Sequence, residues 1–389
     1  MRRRFFNNNN IKHFDINDYL TIEALEDNLQ VYFPYEDLMY GIDGVGWKKL
    51  IAGAYSPAIN KGQTISFKGS VISSQNSTKR FTITKKCNLT GNCVSMIYGD
   101  DASTNYDLRG NDYAFYKLFY DCENIVGVSK NFLPATTLAE GCYKYMFSGC
   151  TSLTTAPQLP ATTLADYCYN SMFYGCKSLT TAPELPATTL ASSCYSNMFS
   201  GCTSLTTAPE LPATTLAEGC YKYMFSGCTS LTTAPELPAT TLASQCYRSM
   251  FYVCVSLTTA PELPATTLAN YCYEYMFENC SSLTTAPELP ATTLAVNCYS
   301  GMFQDCTSLV EAPELPATTL ANYCYRNMFY SCSNLNYIKM LATDISATNC
   351  LTNWVDGVAS SGTFVKNVNM TSLPSGVDGI PTGWTVVDN

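Results

Sequence analysis

Apolar positions return along most of this chain at a long fixed interval. From Leu133 onward the run Leu-Pro-Ala-Thr-Thr-Leu-Ala recurs every 26 residues, its proline falling at positions 134, 160, 186, 212, 238, 264, 290 and 316. Each copy reads L-P-A-T-T-L-A-x-x-C-Y-x-x-M-F-x-x-C-x-S-L-T-T-A-P-E with few exceptions, giving eight copies over residues 133–340. A unit this short cannot bury its own apolar face, so copies must stack around a continuous core with atypical ends. Worn copies supply the ends: residues 101–132, with Phe119 and Cys122, and residues 341–389, with Leu341, Cys350 and Trp354 before a cap ending in Trp384-Thr385-Val386-Val387.

Within a copy, Thr137 and Glu140 are spaced as a capping box and Gly149 stands near a stop, which predicts a helix from Leu138 to Ser148. On a helical projection Leu138, Ala139, Cys142, Tyr143, Met146, Phe147 and Cys150 share one side, and each keeps its type in all eight copies. That is the expected buried side. Positions 140, 141, 144, 145 and 148 change from copy to copy and form the expected wet side. Leu153-Thr154-Thr155-Ala156, stopped by Pro157, predicts a short strand whose copies pair in parallel. Helices pack at about 8–10 Å and strands at about 4.8 Å, so the stack is expected to curve with its strands inside.

The run Met146-Phe147-Ser148-Gly149-Cys150-Thr151-Ser152-Leu153 resembles the A-F-x-x-C-x-x-L signature of the BspA-type leucine-rich repeat, and the likeness covers about residues 113 to 357. It implies an α/β leucine-rich-repeat solenoid of short parallel strands and helices. This unit has 26 residues where that family commonly has 23, and Cys142 replaces the usual aliphatic residue. The resemblance further implies an adhesive protein of the surface of gut and oral anaerobes, or of a bacteriophage infecting them.

Residues 17–100 follow a period near two, with strands predicted at Thr21 to Leu25, Leu29 to Phe33, Thr64 to Phe67 and Phe81 to Thr84 and turns at Asp27-Asn28 and Asp43-Gly44. The expectation is an all-β sandwich with Trp47 partly buried, then a hairpin around Cys87 to Cys93. Gly41, Gly44 and Gly46 lack the order and the following helix of a phosphate loop. Residues 1–16, with Arg2, Arg3, Arg4, Phe5 and Phe6 before four asparagines, read as a flexible arm suited to docking on a partner.

Composition narrows the chemistry. A net charge of -9 disfavours nucleic acid, and a single histidine, His13, removes most triads and His-containing metal sites. No run of 18 apolar residues occurs, so no membrane insertion is expected, and the first ten residues lack the apolar stretch of a secretory signal. Of 20 cysteines, 16 are locked to the repeat. Equivalent thiols in a stack point the same way, which favours reduced buried ladders over bridges or metal.

Glu184, Glu210, Glu236, Glu262, Glu288 and Glu314 place one carboxylate on each coil. The column is expected to splay into solvent, with divalent cations as the alternative if it is crowded. Threonine columns at 136–137 and 154–155 suit mutual hydrogen bonds, or a flat surface for carbohydrate or ice. On the variable side Tyr145, Tyr167, Tyr174, Tyr223, Tyr252, Tyr271, Tyr275, Tyr323 and Tyr330, with Arg248 and Arg326, are the candidate ligand-binding residues, against simple packing over the core.

No nucleophile–base pair and no paired acids emerge, so a non-enzymatic binding protein without cofactor is expected. The first reading is a virion-associated phage protein recognising a host-surface glycan or protein. It would dock on other virion proteins through its N-terminal region and reach the outside by lysis. A bacterial surface adhesin and a structural spacer are the alternatives, and a homo-oligomer fits any of them.

Overall fold

The computed structural model describes residues 13–33, 38–69 and 80–389, so the docking arm from Arg2 to Phe6 lies outside the described residues. Copies of the repeat lie one upon another, but the segment from Leu138 to Ser148 is not a helix. It is a chain of overlapping turns. Cys142, Lys144, Met146, Ser148 and Cys150 each donate their N–H to the carbonyl three residues back at 3.1–3.3 Å. The alternate groups, on Gly141, Tyr143, Tyr145, Phe147 and Gly149, donate instead to Asp166, Cys168, Asn170, Met172 and Tyr174 of the next copy at 2.8–3.0 Å. Half of the amides thus close turns and half tie coil to coil, which satisfies the backbone without an α-helical ladder.

Turns overlapping in this way need a left-handed residue at every second corner, where φ must be positive. Those corners fall at 141, 145 and 149 and at every equivalent: Gly141 (55°), Tyr145 (57°) and Gly149 (78°), then Tyr167, Ser171 and Gly175, then Ser193, Asn197 and Gly201. The two-in, two-out burial that suggested a helix has a true period of four. The apolar set was assigned correctly, since Cys142, Tyr143, Met146, Phe147 and Cys150 are all buried. The conformation was not, because periods of 3.6 and 4 coincide over a segment this short. Thr137 and Glu140 accordingly form no capping box; Glu140 accepts the Tyr113 hydroxyl at 2.5 Å. The premise for curvature, helices packing wider than strands, goes with the helix.

The predicted strand shrinks to a single bridging residue per coil. Thr181, Thr207, Thr233, Thr259 and Thr285 bridge in parallel, and a second line joins Thr137 to Thr163, Thr189 to Thr215 and Thr241 to Thr267. Pro157 and its equivalents remove the N–H that a longer ladder would need.

Side chains repeat with the backbone. Tyr169, Tyr195, Tyr221, Tyr247 and Tyr273 stack with ring centroids 5.7–5.8 Å apart, and a second file of Phe147, Phe173, Phe199, Phe225 and Phe251 runs beside it at 5.7–5.8 Å. The described cysteines are all free and buried. Cys176 Sγ donates to the Phe147 carbonyl at 3.2 Å, the same oxygen that accepts the Cys150 N–H, so both lone pairs are used.

The N-terminal part is a six-stranded sheet in the order β4-β3-β5-β1-β7-β8 with a two-stranded ribbon, β2-β6. Its strands are β1 Leu20–Ala24, β2 Val31–Tyr32, β3 Leu38–Ile42, β4 Val45–Leu50, β5 Thr64–Lys68, β6 Thr82–Ile83, β7 Cys87–Gly91 and β8 Ile125–Val128. Asp43 and Gly44, both at positive φ, turn β3 into β4, and Trp47 is half-buried against Phe14 and Tyr19 as the period-two reading predicts. No hairpin forms at Cys87 to Cys93. Instead β7 pairs antiparallel with β1 and parallel with β8, and a four-residue helix, Ser95–Tyr98, follows. That helix is the only α-helix among the described residues. Gly127 of β8 then bridges Thr155, and Phe81 stacks on Phe119 at 5.5 Å, so sheet and coils share one core.

At the far end Tyr325 and Phe329, the last residues of the two aromatic files, both lie against Trp354, whose indole N–H donates to Gly379 at 2.9 Å. Parallel strands β9 Tyr337–Met340, β10 Thr363–Lys366 and β11 Thr385–Asp388 close the stack.

Candidate binding face

Each coil offers solvent two surfaces: the outward positions of the turn arc, and the segment that carries threonine, proline and glutamate. On the second surface Glu184, Glu210, Glu236, Glu262, Glu288 and Glu314 are all exposed. Glu314 is 3.0 Å from Lys339. Open depressions lie between neighbouring glutamates, such as one of about 430 Å³ lined by Pro261, Glu262, Pro264, Pro287, Glu288 and Pro290. Among the described residues no three His, Cys, Asp or Glu side chains gather as a metal ion would need. The column therefore does not form the crowded set that the cation alternative requires. The threonines beside it are mostly exposed, and where their hydroxyls bond they donate to backbone carbonyls of the preceding coil, as Thr343 does to Thr318 at 3.3 Å. Thr154 likewise donates to the Val126 carbonyl at 2.9 Å.

The turn arc is less uniform. Its outward positions were expected to be wet throughout, yet Ser148, Asn170, Ser171, Ser196, Ser249, Asn297 and Ser300 are buried. A small residue in one coil is covered by a large one from the coil before it. A Cβ on Gly301 would lie 2.2 Å from the Tyr275 ring, and one on Gly141 would lie 2.3 Å from Tyr113.

The candidate residues do not form one site. Tyr223 and Tyr275 occupy the arc's second left-handed corner, Tyr271 and Tyr323 its first, and all four are half-buried. Tyr252 and Tyr330, also half-buried, and Tyr174, 48% exposed, sit three residues beyond the second corner. Arg326 is exposed. Arg248 is largely committed: its Nε is 2.7 Å from Glu274 Oε2, and its guanidinium lies 5.8 Å from the Tyr271 ring. Lys222 joins through Gln245 at 2.7 Å. Burial holds the Glu274 carboxyl above its ordinary value, opposed by Arg248, Lys222 and Arg326. One coil on, Gln304 Nε2 donates to both Glu278 (3.1 Å) and Asp305 (3.3 Å), and burial followed by the Asp305 charge raises Glu278 to about 7.

A second cluster was missed in the sequence. Lys117 Nζ lies 5.2, 5.0 and 5.5 Å from the rings of Tyr116, Tyr120 and Tyr145, and Lys144 Nζ lies 5.7 and 4.6 Å from Tyr145 and Tyr167. Burial pulls the Lys144 ammonium below its ordinary value, opposed by Glu140 and helped by Lys117. Tyr116, Lys117 and Tyr120 belong to the worn first coil, whose corners at Tyr113, Lys117 and Asp121 precede those of the next coil by 28 residues. Aligning that coil at the true spacing would have exposed the signal; a strict 26-residue comb passes over it.

Comparison with known families matches the chain to the one described as BspA type Leucine rich repeat region, in six copies over residues 111–235 and 193–336. No curated protein and no solved structure matches the chain. The matched span covers more than half of the chain and coincides with the stacked coils: this protein belongs to the BspA-type leucine-rich repeat family.

Proposed function

We propose that this chain is a non-enzymatic attachment protein that meets its ligand with the outward face of the turn arc. The observation that carries the reading is where the copies differ. Core positions keep one residue type through eight coils, while the arc's outward positions exchange Gly, Ser, Asn, Gln, Lys, Arg, Glu and Tyr. Burial demands the first pattern, and recognition of a ligand accounts for the second. Family membership supports a repeat protein of surface or binding type. The finer reading is a virion-associated tail or decoration protein of a phage of gut bacteria, docked through its N-terminal region, with a bacterial surface adhesin as the second reading. The virion reading rests on the Arg- and Phe-bearing arm at residues 2–6.

Mass spectrometry of density-banded phage particles and of bacterial envelopes tests it. The chain is expected at fixed stoichiometry in particles; recovery only with envelopes selects the adhesin. Saturable binding of the full chain to host cells should weaken in Tyr174→Ser and Tyr252→Ser, which install the serine found at Ser200 and Ser226. Absence of cell binding leaves only a spacer.

A further inference from the structure

On the first coils two ammonium groups lie among tyrosine rings without an acidic partner. Among the described residues no carboxylate comes within 4.0 Å of Lys117 or Lys144, whereas Arg248 is paired with Glu274. Of the acids around the patch, Glu140 acts on Lys144 through its charge but hydrogen-bonds the Tyr113 hydroxyl at 2.5 Å, Asp166 accepts the Ser192 N–H at 2.8 Å, and Asp121 lies 3.6 Å from Arg80. A ring face attracts an ammonium but leaves its charge uncompensated. The rings do not stack on one another, since Tyr116 and Tyr120 both stand at 81° to Tyr145.

The backbone supplies a second observation. Lys117, Tyr145 and Tyr167 occupy left-handed corners with φ of 58°, 57° and 56°. Equivalent corners are filled by Gly219, Gly301, Asn197, Asn297 and Asn327 in other coils. An ordinary L side chain at such a corner costs about 1–2 kcal/mol, a penalty glycine escapes and asparagine reduces. All three side chains are half-buried and lie outside the packed core, so core packing does not fix their identity. Strain kept where the fold accepts a cheaper residue marks side chains retained for what they touch.

Building on the proposed attachment role, we propose that this patch binds an acidic polysaccharide. The C–H faces of successive sugars would lie on Tyr116, Tyr120, Tyr145 and Tyr167, with carboxylates of the chain meeting Lys117 and Lys144 from adjacent coils. Two cations without ion-pair contacts select an anion, and four separately oriented aromatic rings select a ligand with flat apolar faces; a sugar acid carries both features in each unit.

Binding of the full chain to polygalacturonate, neutral dextran and polyglutamate, measured by calorimetry, tests this. Polygalacturonate is expected to bind, and to bind more weakly as salt rises. The double variant Lys117→Gln/Lys144→Gln should weaken it by about tenfold or more. Tyr145→Asn should weaken binding similarly while holding or raising the melting temperature, which separates recognition from folding. Failure to bind polygalacturonate, equal binding of dextran or polyglutamate, or undiminished binding by both variants overturns the proposal. Host-cell binding that persists without polygalacturonate binding removes this inference and leaves the attachment role standing.

Discussion

The N-terminal sheet and the coil stack bury apolar side chains equally well, yet they hold their backbones by opposite means. In the sheet, strands distant in sequence pair antiparallel, as β1 does with β5 and β7, and each pairing uses residues found once. In the stack a single pairing rule recurs, every second amide reaching into the next coil, and the same side chains answer it each time. A sheet tolerates most residues along its backbone. The arc does not, because every fourth residue must adopt a left-handed conformation.

The difference is most exposed by alkali. Burial pushes the thiols of Cys142, Cys220 and Cys272 up to about 12, whereas a thiol in the unfolded chain ionises near 9.0. Because the folded values are raised, the unfolded state gives up protons first, and stability present below pH 9 is lost as pH rises toward 12. Each such thiol contributes about 1.4 kcal/mol per pH unit, so a stack of buried cysteines exceeds a typical stability of about 5–15 kcal/mol within roughly one unit. Circular dichroism should therefore show steep loss of structure just above pH 9. A structure intact at pH 11 would contradict it.

The join between the two regions is next. Phe119 is fully buried between Phe81 of the sheet side and Phe147 of the first full copy, with ring centroids 5.5 and 5.6 Å away. Phe119→Ala should cost about 3–5 kcal/mol and split one calorimetric transition into two. A uniform shift of a single transition would show that the regions are coupled by more than this contact.

The smallest effect discriminates most sharply. Val253 is a β-branched residue at a left-handed corner, φ 59°, where Gly149, Gly175, Gly201 and Gly227 stand in earlier coils. Val253→Gly should stabilise by about 1 kcal/mol in a turn chain. It would destabilise a helix by several tenths of a kcal/mol. Chemical denaturation gives the sign.

The repeat, its buried set and the turn at Asp43-Gly44 were legible in the sequence because each rests on spacing or composition. The arc's conformation was legible too, but only by comparing copies: glycine, asparagine, serine or aspartate fills most equivalents of 141, 145 and 149, as left-handed corners favour, while tyrosines, Gln245 and Val253 hide the pattern elsewhere. The pairing of Arg248 with Glu274 was not legible from a single copy, since it joins variable positions of two coils. Nor was the Lys117 cluster, for the worn coil that carries it is out of step with the array.

Alternation of inward and outward amides also limits how such a gene can change. Adding or deleting one codon within the arc would turn every later coil-binding amide toward its own turn and leave carbonyls of the neighbour without donors. Outside the arc one residue is absorbed: Glu311 bridges Tyr337, 26 positions on, but Thr319 bridges Asp344, 25 on, while Tyr325 still donates to Cys350 as its equivalents do. Duplication of a whole unit disturbs neither. The array is thus free to lengthen by unequal crossing-over while its arcs resist slippage by single codons, so its reach can evolve faster than its fold.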